Sequence, residues 1–511
     1  MKTGKVLLVG AGPGAPDLIT LRGAQALRNA DAVVYDALAS PRLLELAPAD
    51  AVKIDVGKRG HDAPTRTQAE TTALLLELAR EGRTVVRLKG GDPYVFGRGG
   101  EEAGACAEAG IPFEVIPGVS SIFGALAYAG IPITDRRHAA SFAVVTGHKD
   151  PTKVAEETRW DLLAHAADTL LILMGMRNLA TLVARLLEAG RDPETPAAAV
   201  MSGTLPQQRV VEAPLGELVG AVDAAGLGAP SIIAVGSVVS LREALSWWER
   251  QPLFGSRVLV TRSPDQAGPL LVALESAGAE PVSIPMLALR AVADPAPLDA
   301  ALARLDDFDA VVFTSANAVR FTAERHRERF GAWPPHAVRV ICIGPKTADA
   351  ALAAGLPVHA VPASRFDAES VVAALVSQDE VAGRRFLLPG SDLARPQLRE
   401  GLAAAGGEAL AVVAYQNRPA AVDVAALRAD LLAERFDALT FASPSAVHHF
   451  WSHLDDEVRA AAARVRVGAI GPATASAVVE VGLAAPIVAQ VSTAEGLVDA
   501  LAHAWHRDRS D

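Results

Sequence analysis

The stretch RLKGGDPYVFGRGGEE, Arg87–Glu102, sets two glycine-rich bends around an aromatic pair, and its second bend opens directly into Arg98, Glu101 and Glu102. Glycine lets the backbone approach a bound molecule closely and take up positive φ, so this loop is built to hold a ligand. It follows an apolar segment, Thr84–Leu88, that reads as a strand. The same succession recurs outward from it. KVLLVG (Lys5–Gly10) is a buried strand running into a glycine turn, Leu18–Asn29 a helix and DAVVYD (Asp31–Asp36) the next strand. Thr67–Glu81 reads as helical, Phe113–Ile116 as a strand, and PGVSSIFGALAYAG (Pro117–Gly130) as a small-residue helix after its proline. FAVVTG (Phe142–Gly147), TLLILMG (Thr169–Gly175) and PSIIAVGSVV (Pro230–Val239) supply further strands. Strands alternating with helices predict an α/β fold with largely parallel sheets.

LREALSWWERQPLFGSRV (Leu241–Val258) marks a boundary, because Pro252 and Gly255 break regular structure. Trp247 and Trp248 read there as the cap of a core edge. Beyond it the chain is internally duplicated. FTSANAV (Phe313–Val319) returns as FASPSAV (Phe441–Val447), and IGPKTADA (Ile343–Ala350) as IGPATASA (Ile470–Ala477). The offsets are 128 and 127 residues, so two similar units with equivalent strand–loop–helix turns are implied. These turns carry Ser, Thr and Gly at strand carboxyl ends, where open α/β sheets bind ligands.

With 511 residues the expectation is three or four domains, each able to bury a core. Half the residues are hydrophobic and aromatics are only 5%, which suits a soluble α/β protein packed with small aliphatic side chains. A net charge of -11 argues against nucleic acid or an anionic membrane as partner. Arg outnumbers Lys, so a locally basic cleft could still fork small carboxylates. Cys106 and Cys342 stand far apart without a Cys/His cluster, which argues against disulfides and against zinc. No stretch approaches the ~18–20 apolar residues that span a bilayer, and the expected location is cytoplasmic.

GAGPGA (Gly10–Ala15) formally satisfies a dinucleotide fingerprint, with Asp36 ending the next strand. Pro13 argues against that reading. It removes an N–H from the very loop whose amides should hold a pyrophosphate.

GAGPG at 10–14, VVYD at 33–36, VGKR at 56–59, GGDPYVFGRGGEE at 90–102 and AGIPIT at 129–134 resemble S-adenosylmethionine-dependent uroporphyrinogen-III C-methyltransferases. VTGH at 145–148, LMG at 173–175 and SGTLPQQRVV at 202–211 extend the resemblance in order, so that it runs from about residue 4 to 246. It implies two α/β domains, 1–116 and 117–246, with S-adenosylmethionine in the cleft between them, and a homodimer formed through this half. The implied reaction moves two methyl groups to uroporphyrinogen III to give precorrin-2, for sirohaem or cobalamin. By the same resemblance Asp36 is the proton acceptor and Lys58 the proton donor. Cofactor contacts map onto Pro13, Gly90, Gly91, Asp92, Val95, Ser120, Ser121, Met174 and Gly203. Arg98, Glu101 and Arg136 map onto substrate positions, as befits a ligand with carboxylates. The chain departs from the pattern at Ala37, where many relatives have Arg, and at Asp135, where His is usual; both bear on substrate affinity.

VLVTR (Val258–Arg262), the doubled FTS/FAS and IGPxTA turns and VVAYQNRP (Val412–Pro419) resemble uroporphyrinogen-III synthase. A linker at 247–256 then precedes one lobe made of 257–290 plus 415–511 and another made of 291–414. The implied reaction closes hydroxymethylbilane with inversion of its last ring and loss of water. Holding one geometry through many hydrogen bonds serves that task better than a nucleophile. Thr314, Ser315, Ser443, Ser445 and Thr474 are the candidate contacts, with Lys346 as a charge partner and Tyr415 assisting departure of the hydroxyl. His448 and His449 read as exposed helix residues.

Together these expectations describe a bifunctional enzyme that makes and then methylates uroporphyrinogen III, with no metal. The alternatives are a methyltransferase for another tetrapyrrole intermediate, or for RNA or protein, and a tetrapyrrole sensor whose duplicated half binds without turnover.

Overall fold

The computed structural model describes residues 4–57, 66–147, 159–334, 338–362, 368–377, 380–394 and 396–510. The chain divides into two compact units, Met1–Val258 with Val272–Pro281 and Val498–Asp511, and Leu259–Leu271 with Val282–Leu497. Among the described residues no helix is long and apolar enough to cross a membrane.

The first unit opens with β1 (Lys5–Gly10), β2 (Ala32–Tyr35), β3 (Val52–Asp55), β4 (Thr84–Lys89) and β5 (Phe113–Ile116), in the order β3-β2-β4-β1-β5. Every pairing is parallel. Helices on both faces explain why β1, KVLLVG, is buried along almost its whole length. The helix Gln68–Arg80 starts on a capping box between Thr67 and Glu70. The helix expected at 18–29 begins only at Leu21, because Thr20 caps it and Pro16–Leu18 forms a separate 3-10 turn.

A second sheet follows: β6 (Phe142–Thr146), β7 (Thr169–Leu173), β8 (Pro196–Met201), β9 (Arg209–Pro214) and β10 (Ser231–Val235), ordered β6-β7-β10-β8-β9. Here only β6 and β7 are parallel; β10 runs against β7 and β8, and β9 against β8. Strand–helix alternation does not reveal such pairing, because a short turn such as 202–208 can close a hairpin. The carboxyl ends of β6, β7 and β8 therefore share one edge. Trp247 and Trp248 pack on Tyr128 at ring distances of 4.8 and 5.1 Å, and Trp248 packs on Phe254 at 6.2 Å, as a core-edge cap would.

The remaining strands are β11 (Arg257–Val260), β12 (Glu280–Ser283), β13 (Leu287–Ala291), β14 (Ala310–Phe313), β15 (Arg339–Cys342), β16 (Arg385–Ser391), β17 (Glu408–Pro419), β18 (Ala438–Phe441), β19 (Arg466–Ala469) and β20 (Ile487–Val488). They form two sheets, β12-β11-β18-β19-β20 and β13-β17-β16-β14-β15. The duplicated strands pair alike: β14 with β15 and β18 with β19, both parallel. The expected lobe boundaries at 290/291 and 414/415 fall inside β13 and β17, which pair antiparallel over Leu287–Ala291 and Tyr415–Pro419. Tyr415 thus lies in the sheet of Thr314 and Ser315.

Candidate active sites

Three strand ends of the first sheet are knitted together by glycine. Gly91 donates to the Gly12 carbonyl at 2.7 Å, and Gly12 donates back to Gly91 at 3.3 Å. A β-carbon on Gly118 would fall 2.7 Å from Cα of Gly10 and would strike the Gly91 carbonyl oxygen. Gly91 itself sits at φ 67°, where a side chain is strained. Both carboxylate oxygens of Asp92 serve this knot: Oδ1 accepts from Tyr94 N at 2.8 Å and Oδ2 from Gly118 N at 3.0 Å.

The knot meets the first turn of the helix Ser121–Tyr128, whose N-cap is Ser120. Pro13 packs on Gly124 so closely that a β-carbon there would lie 2.5 Å from Cγ of Pro13. Gly203 packs on the same helix, with room for no side chain against Ala125. Ala15 N donates to Thr204 Oγ1 at 3.0 Å, fastening the loop after β1 to the loop after β8. Pro13, Gly91, Asp92, Ser120, Ser121 and Gly203 are therefore neighbours. Gly90 follows β4 directly and packs on Leu38. Met174, Ser202 and Thr204 all take positive φ on one edge of the second sheet, and Met174 is half exposed. Backbone strain of this kind collects at ligand clamps. Val95 is different: it packs on the core of the second sheet with Ile122 and Leu126.

Asp36 stands just beyond the carboxyl end of β2, partly exposed. Arg87 Nη2 donates to its Oδ1 at 2.6 Å. Arg87 is buried, and its Nε donates at 3.0 Å to Oε1 of Glu102, which is fully buried. Lys89 Nζ lies 3.0 Å from Oε2 of Glu102, and Gln68 Nε2 donates to Oε1 at 3.0 Å. Burial, aided by the Arg87 charge, holds the Lys89 ammonium below the usual lysine range. Burial opposes the charge on Arg87, yet Asp36 and Glu102 more than offset it and push its pKa up. Arg87, Lys89 and Glu102 were not among the candidates from sequence. Their signal was two cations two residues apart, hence on one face, inside the otherwise apolar strand TVVRLK.

Lys58 and the neighbouring Arg59 lie outside the described residues. Arg98 holds a left-handed φ of 58° and forks Glu101 with bonds of 2.8 and 2.7 Å on the surface. Arg136 is exposed. Gly57 packs on Ala37 so closely that a β-carbon on Gly57 would lie 2.6 Å from that of Ala37.

In the duplicated half all four turns lie at carboxyl ends of parallel strands. Ser315 and Ser443 cap the helices Ala316–Phe330 and Pro444–Ser452, each accepting from the N–H three residues on. Thr314, Ser445 and Lys346 are exposed, while Thr474 and its counterpart Thr347 are buried. Tyr415 is buried and stacks on Phe321 at 5.3 Å, with its hydroxyl 3.4 Å from Ser315 Oγ. Arg262, which was not among the candidates from sequence, follows β11. Its guanidinium is half-buried, burial lowers its pKa, and its one hydrogen bond among the described residues is to Gln266 at 3.3 Å. His448 is exposed and His449 partly so.

The comparisons agree with this division. The profile of the Tetrapyrrole (Corrin/Porphyrin) Methylases matches residues 5–219, and that of Uroporphyrinogen-III synthase HemD matches residues 269–499. A porphyrin biosynthesis protein HemD from Ruminiclostridium josui is 42% identical over 321 residues, covering 63% of each chain. A sirohaem synthase from Azotobacter vinelandii is 47% identical over 249 residues, covering 48% of this chain and 52% of its own. The chain thus spans about half to two thirds of the length of these curated relatives. A solved uroporphyrin-III C-methyl transferase from Thermus thermophilus, complexed with S-adenyl homocysteine, is 40% identical over 47% of this chain and all of its own, at a TM-score of 0.40. One chain thus joins a match to the tetrapyrrole methylases over residues 5–219 with a match to the uroporphyrinogen-III synthase HemD family over residues 269–499.

Proposed function

We propose that this chain is a bifunctional tetrapyrrole enzyme. Its second half closes hydroxymethylbilane to uroporphyrinogen III, and its first half methylates that product twice with S-adenosylmethionine to give precorrin-2. The observation that carries the reading is the cradle of Pro13, Gly91, Ser120 and Gly203 beside a carboxylate, Asp36, fixed from behind by Arg87.

The cradle suits the cofactor. It offers backbone groups, hydroxyls and glycine surfaces, and among the described residues no cation is fixed on it that would repel a sulfonium. S-adenosylmethionine supplies a methyl group already activated by positive sulfur, so the protein's work is alignment. Asp36 then takes a proton from the macrocycle through Oδ2, its Oδ1 being held by Arg87. Lys58 is the proton donor in this reading. Arg98 and Arg136 take substrate carboxylates, and the exposed Arg98–Glu101 pair is weak enough to exchange partners.

In the second half the hydroxymethyl carbon–oxygen bond breaks, two carbon–carbon bonds form and one breaks so that the last ring is inverted, and the departing hydroxyl leaves as water with the proton lost from that ring. Ser315, Ser443 and the helix N–H groups beside them hold the substrate carboxylates. The Tyr415 hydroxyl assists departure of the hydroxyl.

The test is a coupled assay of the purified chain with hydroxymethylbilane and labelled S-adenosylmethionine, followed by mass and absorbance. Type III macrocycle and two label equivalents per ring are expected. Absence of both products overturns the proposal.

A further inference from the structure

Glu102 is fully buried in the first turn of the helix Gly99–Glu108, and two cations converge on it. Four charged groups, Asp36, Arg87, Glu102 and Lys89, run in an unbroken line, and of these only Asp36 reaches solvent, with 30% of its side chain exposed. Such an arrangement is expensive: apolar residues of equal volume usually serve stability as well or better. Its use must therefore lie at the open end.

We propose that Glu102 and Arg87 are positioning residues for Asp36, and that the buried line exists to present a single oxygen of that carboxylate to the substrate. The inference rests on the reading of Asp36 as the proton acceptor. Arg87 is committed at each nitrogen. Nε meets Glu102, Nη2 meets Asp36, and Nη1 lies 3.4 Å from the carbonyls of Val34 and Leu88. A guanidinium so held cannot rotate, and it does not give up a proton near neutrality. It orients; it does not relay. Fixing Oδ1 leaves Oδ2 as the oxygen without a partner among the described residues.

Among the described residues, the groups facing this line come from the elements packed against it. β4 contributes Arg87 and Lys89, the helix Gln68–Arg80 contributes Gln68, and the helix Gly99–Glu108 contributes Glu102 and Cys106. Burial, together with the Glu102 carboxylate, pushes the Cys106 thiol up. Asp55, at the end of β3, has its Oδ1 engaged by Gly57 N at 2.8 Å. The four charges sum to zero, so removing Glu102 leaves two cations facing Asp36 alone.

The experiment compares the full-length chain with Glu102→Gln, Glu102→Asp and Arg87→Lys. Methyl transfer to uroporphyrinogen III is measured as kcat and KM across pH, cofactor affinity by calorimetry, and ring closure as the control for folding. For Glu102→Gln, kcat should fall about tenfold to a hundredfold, as loosened positioning does. KM, cofactor affinity and ring closure should be unchanged. The acid limb of the kcat profile should move to lower pH, because the local balance becomes more positive. Glu102→Asp should bring the limb back. Arg87→Lys keeps the charge but loses the fork, and should lower kcat without moving cofactor affinity. It decides the matter if Glu102→Gln fails to fold. A parent chain that transfers no methyl group removes the underlying reading. A parent that does, beside folded variants with unchanged kcat and unchanged profile, overturns this inference alone.

Discussion

Ser315 and Ser443 stand 128 residues apart in the chain with the same backbone conformation, φ/ψ of −158/154° and −159/154°. Each side chain accepts a hydrogen bond from the amide three residues on, at 3.1 and 3.2 Å. The equivalent glycines, Gly344 and Gly471, are likewise extended ahead of a proline. The duplication therefore preserves two strand–cap–helix turns per lobe, and those turns carry most of the polar candidates of this half.

Replacing Asp36 by Asn removes the proton-accepting oxygen while keeping the size and the contact with Arg87. Methyl transfer should fall about 10²–10⁴-fold, with ring closure unchanged in the same preparation. Equal loss of both activities would contradict a division of labour between the halves.

Gly118→Ala tests the knot at the strand ends. Its new β-carbon would strike the Gly91 carbonyl and the Gly10 backbone, neither of which can swing aside. The substitution should cost about 1–3 kcal/mol of stability and weaken cofactor binding. A melt and a titration with S-adenosylhomocysteine would read the two. Unchanged affinity would mean that the cradle does not depend on Gly91.

Tyr415→Phe removes one hydroxyl from a buried ring and leaves the stack on Phe321 intact. The lost bond to Ser315 is long, at 3.4 Å, so the stability change should stay below about 1 kcal/mol. Ring closure should slow by about a hundredfold if the phenol assists hydroxyl departure. Equal rates for the two proteins would leave Tyr415 a packing residue.

Arg262→Met asks what a half-buried guanidinium with one amide partner among the described residues is for. Removing a charged hydrogen bond to a substrate carboxylate forfeits about 1.5–3 kcal/mol, or tenfold and more in KM for hydroxymethylbilane. Thermal stability should hold, because apolar atoms replace a desolvated charge. An unchanged KM with a lower melting temperature would assign Arg262 to the fold.

The alternation of apolar strands with capped helices made the fold class legible, and the repeated FTS/FAS and IGPxTA turns made the duplication legible. The antiparallel pairing of β8, β9 and β10 was not, since pairing direction depends on where the chain returns in space. The neighbours Pro13, Gly91 and Gly203 could be named as candidates because glycine and proline leave a mark on sequence. The Asp36–Arg87–Glu102–Lys89 line could not, because its members come from the turn after β2, from β4 and from a helix, and meet only after folding. In sequence the loop from Arg87 to Glu102 divides between cofactor positions, Gly90 to Val95, and substrate positions, Arg98 and Glu101. It proves to do two jobs, with Gly90–Asp92 at the strand-end knot and both termini, Arg87 and Glu102, inside the buried charge line.

Ser443 offers a way to separate capping from substrate binding. Ser443→Ala should cost about 1 kcal/mol by losing the cap, and any loss of ring closure would then have two explanations. Ser443→Asp does not share that ambiguity. Aspartate caps a helix as well as serine does and adds a favourable charge at the N-terminus, so the melting temperature should be kept or raised. It also sets an anion where a carboxylate-rich substrate has to dock. If the turn after β18 holds substrate, KM for hydroxymethylbilane should rise sharply while the fold is as stable as the parent, and added salt should recover part of the loss by screening the repulsion. If Ser443 is a cap and nothing more, Ser443→Asp should close the ring at the parental rate and KM.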